Sequence, residues 1–208
     1  MKAGILALQG DFHAHGRVFE RLGVSWREIR TPEDFVGIQG LVIPGGESTT
    51  LLKLLTPEMR YHILNLAKHG GAIYGTCAGA LLLAKRVLNP GQDSLGLLDA
   101  VMIRNGYGRQ VESFVLQRGD EGLEGEEVPE ELVFIRAPVF QELGPAVRVL
   151  AQMEGVPVYV QQGNILASTF HPELSADPSI HRRFIDLMKV AADRREIRRA
   201  GSHPSYFS

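Results

Sequence analysis

Ala72-Ile73-Tyr74-Gly75-Thr76-Cys77-Ala78-Gly79-Ala80-Leu81-Leu82-Leu83 is the stretch from which the rest of the chain can be read. Ala72–Gly75 is a short apolar run suited to a buried strand, and Ala78–Lys85 has the composition of a helix. Between them the chain turns on Gly-x-Cys-x-Gly. Gly75 and Gly79 carry no side chain, so strand and helix can approach closely. This is the strand–turn–helix elbow that lifts a nucleophile above a sheet, here in its cysteine form. The free N–H groups and partial positive charge of a helix N-terminus favour a thiolate at Cys77. The N–H of Ala78 can also help to bind an oxyanion. A lone cysteine is more often a small buried hydrophobe. Its placement between strand and helix, rather than the bare motif, marks Cys77 as a nucleophile.

Toward the N-terminus, Lys2–Leu8 reads as a strand ending in Gln9-Gly10-Asp11. Phe12–Leu22 reads as a helix, with Phe12, Val18, Phe19 and Leu22 on one face and Gly23 as its stop. Val24–Ile29 alternates like a strand, and Gly40–Ile43 is another, halted by Pro44-Gly45-Gly46. Ser48–Leu55 and Pro57–His69 come next as helices. Strands alternating with helices argue for a parallel sheet covered on both faces. Ligands of such sheets bind beyond the carboxyl ends of the strands, where the glycine-rich turns after the first, third and fourth strands fall.

The second half differs. Gln110–Gln117, Leu132–Ile135, Val147–Ala151, Val156–Gln161 and Ile165–Ser168 are closely spaced strands. Gly155 and Gln162-Gly163-Asn164 suggest hairpins, so an antiparallel extension is expected. Pro178–Arg195 closes the chain as a helix, its basic end (Arg194, Arg195, Arg198, Arg199) matching the helix dipole. Asp120–Glu131 reads as a solvated acidic loop. With no repeat and no linker, residues 1–208 are expected to form a single domain, about the last ten residues being a frayed tail.

A thiolate nucleophile needs a base. Among seven histidines, His171 is the candidate, because it comes after a strand and Glu173 lies two residues on. In extended chain these two side chains point the same way, and Pro172 stiffens the segment. Glu173 can then orient and stabilise the imidazole as the acid of a triad. His13 and His15 lie two apart on a helix and do not share a face. His62, His69, His181 and His203 fall in helices or the tail, and no Cys/His cluster has zinc spacing, so no metal is expected. Pro44-Gly45-Gly46-Glu47-Ser48-Thr49-Thr50 admits three readings: a phosphate cradle lacking the P-loop lysine, a backbone oxyanion donor facing Cys77, or a plain helix-entry turn.

A net charge of −2 offers no strong field for nucleic acid or membrane. The single cysteine excludes an internal disulfide framework. The opening apolar run is too short, and too soon succeeded by Asp11, for a signal peptide, and no stretch approaches the roughly 18 apolar residues of a membrane span. A cytoplasmic protein is expected.

With Gly75–Gly79 and His171-Pro172-Glu173 placed, the chain resembles the class I (triad) glutamine amidotransferases, in which Cys, His and Glu occur in this order on a flavodoxin-like sheet. Ala7–Phe12, Pro44–Thr49, Gly75–Gly79, Arg104–Gln110 and Phe134–Pro138 look, more narrowly, like the family of glutaminase subunits of pyridoxal 5′-phosphate synthase. The resemblance implies that Cys77 attacks the side-chain amide of L-glutamine and forms a thioester, with His171 as acid and base and Glu173 orienting it. It implies glutamine contacts from Gly46, Glu47, Ser48, Arg104, Ile135 and Arg136, and an oxyanion hole from Gly45, Gly46 and Ala78. A guanidinium suits a substrate carboxylate, although a surface ion pair is the ordinary fate of an arginine. No cofactor is implied. The implied partner is a barrel-shaped synthase (lyase) subunit that receives the ammonia, docking at an edge that includes Gln9 and Gly10. Phe12-His13-Ala14-His15 departs from the family, which usually has an acidic residue before the last histidine. Gly106 and Tyr107 also depart from its usual Ala and Phe. The alternatives are a triad glutaminase serving another synthase and a non-catalytic flavodoxin-like binding module.

Overall fold

The structure is a computed structural model that describes residues 1–106 and 113–200, the last seven of these by their helical backbone alone. Five strands form its parallel part: β1 (Lys2–Leu6), β2 (Ser25–Ile29), β3 (Gly40–Ile43), β4 (Ala72–Thr76) and, late in the chain, β13 (Ile165–Ser168). Their order is β2-β1-β3-β4-β13, all parallel. This is the flavodoxin-like order, and it puts a switch point between β1 and β3. Beyond β13 the sheet continues antiparallel through β12 (Val156–Gln162), β11 (Arg148–Met153) and the short β8 (Leu123–Glu124). The expected α/β class and antiparallel extension are therefore both present.

Strand periodicity explains why both faces are covered. On β3, Leu41 and Ile43 point into one apolar cluster and Val42 into the other; on β4, Ile73 and Tyr74 divide in the same way. Successive side chains alternate across a sheet, so near-continuous apolar strands need cover on both sides. One side is covered by α2 (Ser48–Leu54), α3 (Pro57–Lys68) and α4 (Ala78–Leu83), through Leu51, Met59, Ile63 and Leu81. The other is covered by α1 (Phe12–Arg21) and α5 (Ser179–Ala200), through Phe19, Ile180, Phe184 and Met188. Asp11 caps α1 by accepting from the N–H of Ala14 at 2.9 Å. Thr56 caps α3 in the same way, with Pro57 in its first turn.

The second half corrects several expectations. The helix after Cys77 stops at Leu83, and Ala84–Leu88 is a strand, β5. With β6 (Leu98–Ile103) and β10 (Val139–Leu143), neither of them expected, it forms a sheet of order β10-β6-β5. Helical composition loses here to pairing: Ala84 and Val87 are buried on it, and Lys85 reaches Asp99 on β6 at 2.9 Å. Asp120–Glu131 is more than a solvated loop. It contains β8, buries Leu123, and Glu127 pairs with Arg148 and Arg183. β7 (Ser113–Gln117) pairs with β9 (Glu131–Ile135), while the expected start of that strand at 110–112 lies outside the described residues. So do Tyr107–Gln110 of the Arg104 block and the tail 201–208, as do the side chains of Arg194, Arg195, Arg198 and Arg199. No helix among the described residues is long and apolar enough to cross a membrane.

The layering at the elbow is tight. A Cβ on Gly79 would lie 2.0 Å from the carbonyl oxygen of Ile43, and one on Gly75 would lie 2.6 Å from the Gly79 backbone. Both obstacles are backbone, which cannot swing aside. Gly79→Ala should therefore cost about 2 kcal/mol or more. Thermal denaturation should show this as a midpoint lowered by roughly 4–8 °C; an unchanged midpoint would mean that α4 is free to move off β3.

Candidate active site

Cys77 occupies the turn between β4 and α4 with φ 48° and ψ −107°, a left-handed conformation rare for a residue with a side chain. The turn is held by the Cys77 N–H, which donates to the carbonyl of Ser168 at the end of β13 (2.8 Å). The thiol is 6% exposed and lies 3.9 Å from the carbonyl oxygen of Ile135. Three residues beyond β13, His171 is anchored by its N–H, which donates to Val133 of β9 (2.8 Å). Its Nδ1 is 2.7 Å from Oε1 of Glu173. The chain is not extended between them, as the sequence suggested: Pro172–Leu174 forms a single 3₁₀ turn. Proline fixes φ at its first position, and the turn swings Glu173 back under the imidazole.

His171 and Cys77 meet across Gly45. A Cβ on Gly45 would lie 2.4 Å from Cε1 of His171 and 3.2 Å from Cβ of Cys77, so only glycine fits there. Burial works against charge on His171, but hydrogen bonds with Cys77 and Glu173 and the charge of Glu173 outweigh it, raising its pKa above the ordinary imidazole value. Burial likewise works against charge on Glu173, but the facing imidazoles of His15 and His171 hold its carboxyl well below the usual carboxylate range. The pair is thus poised as imidazolium and carboxylate.

Above these groups is a cavity of about 390 Å³, a size suited to a small ligand. Cys77, His171, Gly46, Glu47, Ser48, Ala78, Arg104, Ile135 and Arg136 all line it. Glu173 lies beneath it and Gly45 behind it. The mouth is already paired: Arg104 contacts the Glu47 carboxylate, which also caps α2 through the N–H groups of Thr49 and Thr50. Hydrogen bonds from Thr49 and Thr50, first among them the Thr49 hydroxyl, hold the Glu47 carboxyl down to about 2. Ser48 donates to Gln92 Oε1 at 2.7 Å. Arg136 takes φ 45° immediately after Ile135, which is 40% exposed. The Gly45 N–H does not face the thiol; it donates to Thr76 Oγ1 at 2.9 Å. Gln9 and Gly10 lie outside the cavity but pack on the same turn. Gln9 accepts from the Glu47 N–H at 2.9 Å, and a Cβ on Gly10 would lie 1.9 Å from the Gly45 oxygen.

Three residues escaped the sequence reading. Thr76 holds Gly45, and its position beside Cys77 was the only hint. His15 and His181 are both fully buried, and they touch each other behind Glu173. A signal for them existed. His15 shares a helical face with Val18 and Phe19, and His181 with Phe184 and Ile185, the i, i+3, i+4 spacing of core positions.

Comparison with known proteins agrees with this geometry. A family model described as the SNO glutamine amidotransferase family matches residues 5–190. A protein of Koribacter versatilis called pyridoxal 5′-phosphate synthase subunit PdxT is 49% identical over 193 residues, 91% of this chain and 96% of its own. The protein of the same name from Deinococcus radiodurans is 48% identical, over 90% and 97%. A solved structure of a glutamine amidotransferase superposes with a TM-score of 0.82 at 46% identity, covering 90% of this chain and 98% of its own. A solved GMP synthase component from Thermoplasma acidophilum shares the fold alone, with a TM-score of 0.66 at 19% identity over 96% of this chain and 98% of its own. With Cys77 on its elbow, His171 and Glu173 beneath one cavity, and a family match over nearly its whole length, the chain belongs to the SNO glutamine amidotransferase family.

Proposed function

We propose that this chain is the glutaminase subunit of a pyridoxal 5′-phosphate synthase, working in the cytoplasm from a single amidotransferase domain. The convergence of Cys77 and the His171–Glu173 pair under one cavity carries the reading. The Cys77 thiolate attacks the side-chain amide carbon of L-glutamine. The C–N bond breaks as His171 gives its proton to the departing ammonia, leaving a γ-glutamyl thioester. Water, deprotonated by His171, then attacks the thioester, releasing L-glutamate and restoring the thiol. Glu173 stays ionised throughout and steadies the imidazolium.

Ala78 and Gly46 are assigned the oxyanion, since the Gly45 N–H is bonded to Thr76. Gly45 contributes its missing side chain, which leaves room for His171 against Cys77. Arg104 and Arg136 are assigned the substrate carboxylate, with Glu47, Ser48 and Ile135 completing the pocket. Arg104 must then share its guanidinium between Glu47 and substrate, which its five donors permit. The names of the relatives support a synthase partner that accepts the ammonia. The packing of Gln9 and Gly10 on the Gly45–Glu47 turn supports a docking edge there, because a partner pressing on Gln9 presses on the cavity wall.

Cys77→Ala should lose at least about 10³-fold in turnover while glutamine still binds, as read by isothermal calorimetry; equal turnover would remove Cys77 from the reaction. Glu173→Gln should lower kcat/KM by roughly 10²–10⁴-fold. It should also alter the pH profile in a definite direction. The raised pKa of His171 keeps it protonated for the first step until pH rises through that value. Without the carboxylate the pKa falls, so the alkaline limb should move to lower pH. A limb that stays in place would mean that Glu173 does not hold the proton on His171. Glutamate release should rise strongly when the synthase subunit is added, and Gln9→Ala should blunt that response while leaving the melting midpoint within about 2 °C. High activity with no response to the subunit would move the protein to another synthase.

A further inference from the structure

Glu173 is a buried carboxylate with two oxygens, and the triad uses one. Its side chain is 2% exposed. Oε1 is taken by His171, while Oε2 has no satisfied hydrogen bond and faces Nε2 of His15 at 3.3 Å. A buried carboxylate oxygen without a donor is costly, so the atom facing it matters. His15 is wholly buried on α1, and its other nitrogen, Nδ1, lies 2.9 Å from Nε2 of His181, wholly buried on α5. These contacts run from the helices on the far side of the sheet to the reacting thiol.

We propose that His15 and His181 extend the Cys77–His171–Glu173 line inward, with His181 donating its Nε2–H to His15 Nδ1 and neutral His15 donating its Nε2–H to Glu173 Oε2. The proposal rests on the triad reading of Cys77, His171 and Glu173. Its logic is a count of protons. Two imidazole nitrogens 2.9 Å apart need one proton between them. If it sat on Nδ1 of His15, the bare Nε2 would turn a lone pair on a carboxylate oxygen at 3.3 Å. If His15 carried both protons, a second cation would be buried beside His171. Burial opposes that charge and lowers the His15 pKa, although Glu173 and Asp11 favour it. Burial, first, and His15, second, hold His181 down to about 3, with Glu173 and Arg21 the other charges facing it. Tyr74 presents its ring to both histidines, with its hydroxyl engaged by Ser168. One tautomer of each ring therefore satisfies the line, leaving only His181 Nδ1 unpaired.

In this arrangement His15 is a positioning residue. It touches neither substrate nor thiol. It fixes the rotation of the Glu173 carboxylate, so that Oε1 stays on Nδ1 of His171 and Nε2 of His171 stays on the sulfur side. It also supplies the second oxygen with a donor that remains uncharged through the working pH range.

The test combines kinetics with the native protein's own spectrum, all activities being measured with the synthase subunit present. His15→Leu should lower kcat by roughly tenfold or more with KM within about twofold. Having lost a donor, Glu173 should protonate more readily, so the acid limb of kcat/KM should move to higher pH. His15→Gln places an amide N–H near the lost Nε2 and should recover most of the rate. If Leu and Gln behave alike in rate and pH profile, His15 only fills the core and the proposal is overturned. Long-range ¹H–¹⁵N spectra of the unmodified protein test it without any substitution, and so decide the matter if His15→Leu does not fold. Neutral His15 protonated at Nε2 is expected; Nδ1–H or a charged ring would overturn it. Cys77→Ala and His171→Ala separate the two levels. If either keeps full turnover, the triad reading falls and this inference with it. If both are inactive while His15→Leu is unaffected, only the inward extension is wrong.

Discussion

The left-handed turn at Cys77 is the constraint around which the rest of the structure is arranged. A residue with a Cβ at φ 48° costs on the order of 1–3 kcal/mol and persists only where its surroundings leave no alternative. Here β13 holds the Cys77 N–H, and Gly79 lies against the carbonyl of Ile43 with no room for even a methyl group. The ends of β3, β4 and β13 are thereby brought to one point. Each of those ends leads directly into the site: β3 into the Gly45–Gly46 turn, β4 into Cys77, and β13 into His171. The geometry of the cavity is thus a consequence of strand adjacency in a parallel sheet, where all carboxyl ends share one edge.

Two electrostatic regimes meet across that cavity. At its mouth, Glu47 and Arg104 pair in reach of water, where an ion pair is worth little to stability and can exchange partners readily. At its floor, Glu173 and His171 are almost fully enclosed, and each charge is tolerated only because the other faces it. The mouth is suited to admitting and orienting a charged substrate. The floor is suited to holding one protonation state through a reaction. His15 and His181 belong to the floor, and they tie it to α1 and α5, the two helices that cover the far side of the sheet.

The second half of the chain supplies the wall opposite the elbow. β6 ends at Ile103, so Arg104 emerges beside Glu47, its N–H bonded to the Leu88 carbonyl (2.9 Å). β9 ends at Ile135, whose carbonyl faces the Cys77 sulfur, and the left-handed Arg136 then redirects the chain. These small sheets lie outside the flavodoxin-like frame and shape a pocket upon it.

Much of this could be read from residue order alone. The parallel strands, the helices α1, α2 and α3, the elbow and the His171–Glu173 pair are all local in sequence, and local patterns carry local geometry: alternation, capping residues, glycine at tight turns. The readings failed where distant pairing overrode composition. Ala84-Lys85 continues a helical pattern, yet the pull of β6 makes it strand. Leu123 sits in an acidic stretch, yet β11 recruits it. His15 and His181 lie 166 positions apart, and nothing in either neighbourhood announces the other. The sequence by itself determined the class of fold, the nucleophile and its base, because each rests on contacts within a few residues. Only the tertiary structure decided that Gly45 gives its N–H to Thr76, that Glu47 and Arg104 pair at the mouth, and that two buried imidazoles stand behind Glu173. Those contacts join segments whose distance in space is set by how helices pack across a sheet, a quantity that no single segment contains.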